Sequence, residues 1–226
     1  MGSEQYLSKY WLVVNMIYKL TDYKSQDLDN FFNKTIKELE TFFSIKQLFS
    51  KPKLMLVNDH EQMESLADKK LPLWVNGNIF GQFVMVLCPE NYEQECNHKY
   101  DDDVYHKLIK HELVHFFFEQ LSNNNVKPCW LSEGASMYLS GQLEPHKKPI
   151  KFNNFINYYS KHDAGVYLES GFVVETLVKF GGKSRLLRLI KGLSNARTKK
   201  LFETLFETVY GFKLNYKTIN EVYADT

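Results

Sequence analysis

Residues 107–121 read KLIKHELVHFFFEQL, and no other stretch constrains the fold as strongly. On a helix, positions four apart point the same way, so His111 and His115 project their imidazoles from one face. Leu113, Phe116 and Phe117 then lie on the face turned away, where core packing is the better reading than an apolar substrate pocket. Two histidines and a glutamate are seldom placed on a buried helix without partners. The helix is therefore expected to be packed from behind and to present His111 and His115 to whatever they bind.

A His-x-x-x-His pair on one helical face can hold a single metal ion. Glu112 lies about a hundred degrees around the helix, beside such a metal without needing to bind it. Zinc with three protein ligands and one water lowers the pKa of that water to about 7, and a neighbouring carboxylate can take its proton. With seven histidines in 226 residues the pentapeptide alone does not settle the matter, so a third ligand is required. PCWLSEGASMYLSG, residues 128–141, offers Glu133, which follows His115 after seventeen intervening residues near the start of a second helix bounded by Gly141. A turn between the two helices lets that carboxylate reach the same ion.

HELVH followed by WLSEGASMYL resembles the gluzincin zinc metallopeptidases, in particular the compact peptidase MA-like family. The resemblance implies a thermolysin-like catalytic core with one Zn2+ per chain held by His111, His115 and Glu133, and with Glu112 as general base. It extends over roughly residues 70–195. YLESGFVVETLVKFGGKSRLLRLIKGL, residues 167–193, is similar to the helix that follows the zinc motif, which makes Tyr167 the candidate oxyanion donor, with His162 as the competing one. Phe80 to Leu87 resembles the edge strand that lies over the zinc and pairs with extended substrate, although a plain core strand fits its poor alternation equally. Two departures stand out. Met137 occupies the position where thermolysin-like relatives place an acidic residue to orient a zinc histidine, and GQFVMVLCPEN lacks the Gly-x-Met-x-Glu element by which the aminopeptidase branch holds a free amine. Endopeptidase specificity is the expectation.

The surrounding sequence predicts an α+β chain, read as one domain over 1–226: a small mixed-sheet lobe to about residue 100, then a helical lobe carrying the zinc site. Residues 27–46 space Leu28, Phe31, Phe32, Ile36, Leu39, Phe42 and Phe43 as an amphipathic helix. KPKLMLVND reads as a short strand, and Asn76-Gly77-Asn78 as the turn of a hairpin between two apolar runs. Asp101, Asp102 and Asp103 supply N-cap and first-turn charge for the helix that reaches about Leu121. Pro145 to Pro149 is expected to border the cleft.

Cys88, Cys96 and Cys129 are odd in number and lack metal-ligand spacing, so they read as free thiols. A formal charge of +1 offers nothing to nucleic acid, and the basic stretch at 191–200 reads as a solvated helix end. The apolar segment Trp11 to Ile17 is too short to span a bilayer, and the expected location is cytoplasmic. The opening Met-Gly-Ser leaves room for a native leader removed ahead of residue 1. The expected partner is a peptide or unfolded-protein substrate. Against the peptidase stand a non-proteolytic zinc-binding scaffold, disfavoured by the intact Glu112, and a metal-free helical interaction domain.

Overall fold

The computed structural model describes residues 21–45, 48, 50–96 and 98–226. The apolar stretch Trp11 to Ile17 lies outside them. Among the described residues no helix is long and apolar enough to cross a membrane.

Helix α1 (Gln26–Phe43) starts at Ser25, whose side chain accepts the Leu28 N–H. It covers the back of the histidine helix, where Phe43 stacks on Phe117 with ring centroids 5.7 Å apart. Strand β1 (Lys53–Val57) follows, then α2 (His60–Ala67), capped by Asp59. Strands β2 (Gly77–Phe80) and β3 (Phe83–Leu87) complete a mixed sheet in the order β1-β3-β2, with β1 parallel and β2 antiparallel to β3.

Two sequence expectations are corrected here. The run Phe80 to Leu87 is not the edge strand: its core, β3, lies in the centre of the sheet, and Val84 through Leu87 have no exposed surface. A strand covered on both faces needs no alternation, which is why its apolar side chains run continuously. The edge belongs to β2. Nor is Asn76-Gly77-Asn78 the hairpin turn, since Gly77 and Asn78 already pair with Val86 and Met85. The turn is Gly81-Gln82, and Gly81 takes φ 59°, as a two-residue loop with glycine first requires.

After the short α3 (Tyr92–Cys96), helix α4 runs from Asp102 to Ser122. Asp101 caps it by accepting the Val104 N–H at 3.0 Å, and Asn123 ends it in the left-handed conformation. The Tyr105 hydroxyl donates to the Leu87 carbonyl at 2.7 Å, fixing the helix to the end of β3. Phe116, Phe117 and Phe118 are all buried in the core.

Helix α5 (Cys129–Ser140) begins after Pro128 and closes at Gly141, with φ 83°. Proline offers no capping side chain, so the loop 158–159 does this work: the Tyr159 and Tyr158 carbonyls accept the Cys129 and Trp130 N–H groups at 3.0 and 3.1 Å. That loop is itself held by Glu169, whose buried carboxylate accepts the backbone N–H groups of Asn153, Asn154 and Phe155. Helix α6 (Tyr167–Gly192) is broken at Gly182, where φ 73° and ψ 165° are not helical. It is followed by α7 (Lys199–Tyr210) and α8 (Tyr216–Ala224). The three cysteines are free, with Cys96 buried and the others half-buried.

Helices α5 and α6 meet at Gly134, where an added Cβ would collide with the Ser170 carbonyl oxygen. Backbone cannot yield there as a side-chain tip would. Gly134→Ala is expected to cost about 1–3 kcal/mol, the usual range for an overpacked core position, seen as a lower urea midpoint with an unchanged slope. An unshifted midpoint would show that the α5–α6 spacing is set elsewhere.

Candidate metal centre

The histidines of α4 and the glutamate of α5 converge. His111 and His115 bring their Nε2 atoms to 3.1 Å from each other, and each lies 3.3 Å from Glu133 Oε2. Among the described residues these three form the one group of histidine, cysteine and acidic side chains close enough to hold a metal ion. Tetrahedral zinc with bonds of about 2.0–2.1 Å places its ligand atoms about 3.3–3.4 Å apart, so the triangle fits that ion closely. Glu133 Oε2 is buried and receives no hydrogen bond, a costly state for a carboxylate oxygen unless a cation meets it.

The outer ring nitrogens fix the orientation of both imidazoles. His111 Nδ1 donates to Gln142 Oε1 at 2.7 Å, and His115 Nδ1 lies 3.0 Å from Ser132 Oγ. A metal ligand needs its Nε2 lone pair free, and a donating Nδ1 on each ring would supply that tautomer once a cation takes the place of the proton. The sequence alone points to neither partner. Gln142, immediately after the Gly141 cap, and Ser132, immediately before Glu133, take the place left by Met137.

Charge in this cluster is strongly coupled. Burial works against ionisation of Glu133, but the His115 charge and the facing imidazoles outweigh it and hold the carboxyl well below its usual range. Burial likewise opposes a charged His115, and Glu133 overcomes it, carrying the imidazole up to about 9. The carboxylate thus demands a positive charge at its centre, from a proton or from a divalent cation.

Glu112 stands beside the cluster and is 7 % exposed. Burial pushes its carboxyl up, against the pull of His111 and His115. Strand β2 abuts it so closely that a Cβ at Gly77 would lie 2.7 Å from Glu112 Cγ and Oε1. Tyr167, at the start of α6, packs its ring 6.2 Å from His111, 6.2 Å from His162 and 5.9 Å from Trp74. Its phenol is raised by burial first, then by the charges of Glu133 and Glu112. His162 is the more exposed of the two sequence-expected donors, and its Nε2 sits 2.6 Å from Glu133 Oε1, the oxygen turned away from the histidines. This contact raises the His162 pKa. The structure therefore brings His111, Glu112, His115, Glu133, Tyr167 and His162 into one cleft of about 1280 Å³. Pro145 and His146 border it, and Phe116–Phe118 do not. No protein-family model, curated protein or solved structure matches the chain.

Purified protein is expected to take up about one zinc per chain, and both Glu133→Ala and His115→Ala to lose most of it, because each removes one of three ligands. Stoichiometric metal in both variants, by elemental analysis, would remove Glu133 from the ligand set. Metal uptake should also depend on pH with a definite sign. Protons compete for His115 up to its pKa of about 9, whereas Glu133 stays ionised throughout. Zinc affinity should thus climb by about tenfold per pH unit through the neutral range and level off near 9. A flat titration between pH 7 and 9 would contradict the coupling.

Proposed function

We propose that the protein is a zinc-dependent endopeptidase of the gluzincin type, acting on peptide or unfolded-protein substrates. The observation that carries this reading is the triangle of His111 Nε2, His115 Nε2 and Glu133 Oε2, set beside a buried carboxylate, Glu112, in an elongated cleft. A zinc ion held there supplies Lewis acidity toward a substrate carbonyl and brings the pKa of water down to about 7.

The protein's own groups do the remaining work. Glu112 accepts a proton from the attacking water and returns it to the departing amine nitrogen, and a carboxyl with its pKa raised by burial suits a group that must do both. Tyr167 presents a phenol held protonated by its surroundings, a donor for the charge that develops on the carbonyl oxygen. His162 is occupied with Glu133 Oε1 and orients that ligand. The edge of β2 borders the cleft and has one side unpaired among the described residues, so an extended substrate can add to it as a strand. A zinc-binding scaffold without hydrolysis gives Glu112 no task, and its placement against Gly77 argues for the enzyme.

Glu112→Gln should keep its zinc while hydrolysis of a peptide library falls by about two orders of magnitude or more, as for loss of a general base. Gly77→Ala tests the same group sterically: the added methyl would press on Glu112 from Cγ to Oε1, so the folded, zinc-loaded protein should lose about tenfold or more in kcat. Wild-type turnover in both variants would take Glu112 out of the mechanism.

Tyr167→Phe separates the two donors. An oxyanion contact exists mainly in the transition state, so kcat and kcat/KM should fall together by about a hundredfold, with KM little changed. Normal kinetics in this variant, with a parallel loss in His162→Ala, would move the role to His162.

A further inference from the structure

Helix α4 lines the cleft along most of its length, from Asp103 to Glu119. Those sixteen steps cover about 24 Å at 1.5 Å each, room for about seven residues of extended chain at 3.3–3.4 Å each. Some of the charged groups along this floor are paired, while Glu112 and Glu119 of α4 form no ion pair among the described residues. Lys107 bridges Asp103 and Glu144 at 2.8 Å each, and Glu133 faces the histidines. Glu119 lies one helical turn beyond His115.

Glu119 is half-buried, and burial raises its carboxyl pKa. His115, one helical turn away, acts on it, and a positive charge stays on that side whether a proton or a divalent cation supplies it. Val126, Cys129 and Ser132 line the same cleft and carry no positive charge, and Lys127, which acts on Cys129, forms no ion pair with Glu119. A desolvated carboxylate facing a cleft is stabilised only when a cation and hydrogen-bond donors meet it. The apolar wall suits the methylene stem of a long basic side chain.

We propose that Glu119 forms a cation-selecting subsite, which takes the lysine or arginine side chain of an extended peptide lying along α4. The inference rests on the peptidase reading for its substrate class and adds a preference to it. Glu119 stands about 6 Å along the helix from His115, within reach of a basic side chain one or two residues from the bond under attack.

Binding tests the subsite independently of hydrolysis. Zinc-loaded Glu112→Gln protein is titrated calorimetrically with heptapeptides acetylated and amidated at their ends, in which lysine replaces norleucine at each position in turn. At one or two adjacent positions the lysine peptide should bind about tenfold or more tightly than its norleucine parent, the gain expected of a desolvated charge pair. Adding Glu119→Gln should bring that ratio to about one, and adding Glu119→Lys should turn the preference toward glutamate at the same position. The ratio compares two peptides on one protein, so general destabilisation does not move it. Equal affinities at every position, or a ratio that survives Glu119→Gln, overturn the subsite. So does a Glu119-dependent gain seen only with free N-termini, which would assign the carboxylate to a terminal amine. Hydrolysis of the same peptides by the native protein reports on the other reading: cleavage without lysine selectivity sinks the subsite alone. Lysine-selective binding with no cleavage of any peptide upholds the subsite and sinks the peptidase.

Discussion

One buried carboxylate, kept ionised, ties together the elements that form the cleft. Glu133 is removed from water, a state that disfavours its charge, yet its pKa lies well below the usual range because positive and polar groups surround it. His111 and His115 face one oxygen and His162 the other. To place these groups, α5 must bring Glu133, at the start of its second turn, within ion-pair distance of α4, and the 158–159 loop must return to cap the turn before it. Gly134, next in sequence, removes the Cβ that would keep α6 away. Local packing and local charge are thus satisfied by the same few residues, which is the consistency expected where a sequence specifies one arrangement.

The helical part of this arrangement was legible in the sequence because periodicity is a local signal. Asp101 to Leu121 and the segment ending at Gly141 could be placed from caps and spacing, and with them His111, His115 and Glu133. The sheet was less legible. Whether Phe83–Leu87 lies at the edge or the centre depends on β1, thirty residues earlier in register, and no local pattern encodes that pairing. Asn76-Gly77-Asn78 carries stronger turn chemistry than Gly81-Gln82, yet its glycine makes room for the Glu112 side chain and not for a bend. Ser132 and Gln142 escaped notice because the residue types that orient a metal-binding histidine are many and their positions depend on tertiary contact. Glu119 is different: its place four residues after His115 puts it on the histidine face by helical spacing alone.

The groups of the cleft differ in how they are held. His111, Glu112, His115 and Glu119 share one helix, Glu133 belongs to a second and Tyr167 to a third, so their relative positions follow from helix packing. His162 comes from a loop, where order must be supplied from outside. Glu169 supplies part of it by gathering consecutive backbone N–H groups a few residues upstream, and the first turn of α5 supplies the rest by binding the carbonyls of Tyr158 and Tyr159. A loop so anchored carries a side chain to Glu133 with little freedom left at its base.

The break at Gly182 divides α6 into two mechanical units. Before it, Gly134 and Met137 of α5 press against Ser170 and Gly171, and that half holds Tyr167. After it, Gly192 receives Leu205 of α7, and Arg188 donates to the Val209 carbonyl. An unbroken helix of this length would act as a lever, passing any displacement of the C-terminal helices to its far end. With a non-helical residue in its middle the lever is cut, and a displacement of α7 reaches the cleft not along α6 but through Phe202, which packs on Trp130 and Tyr159.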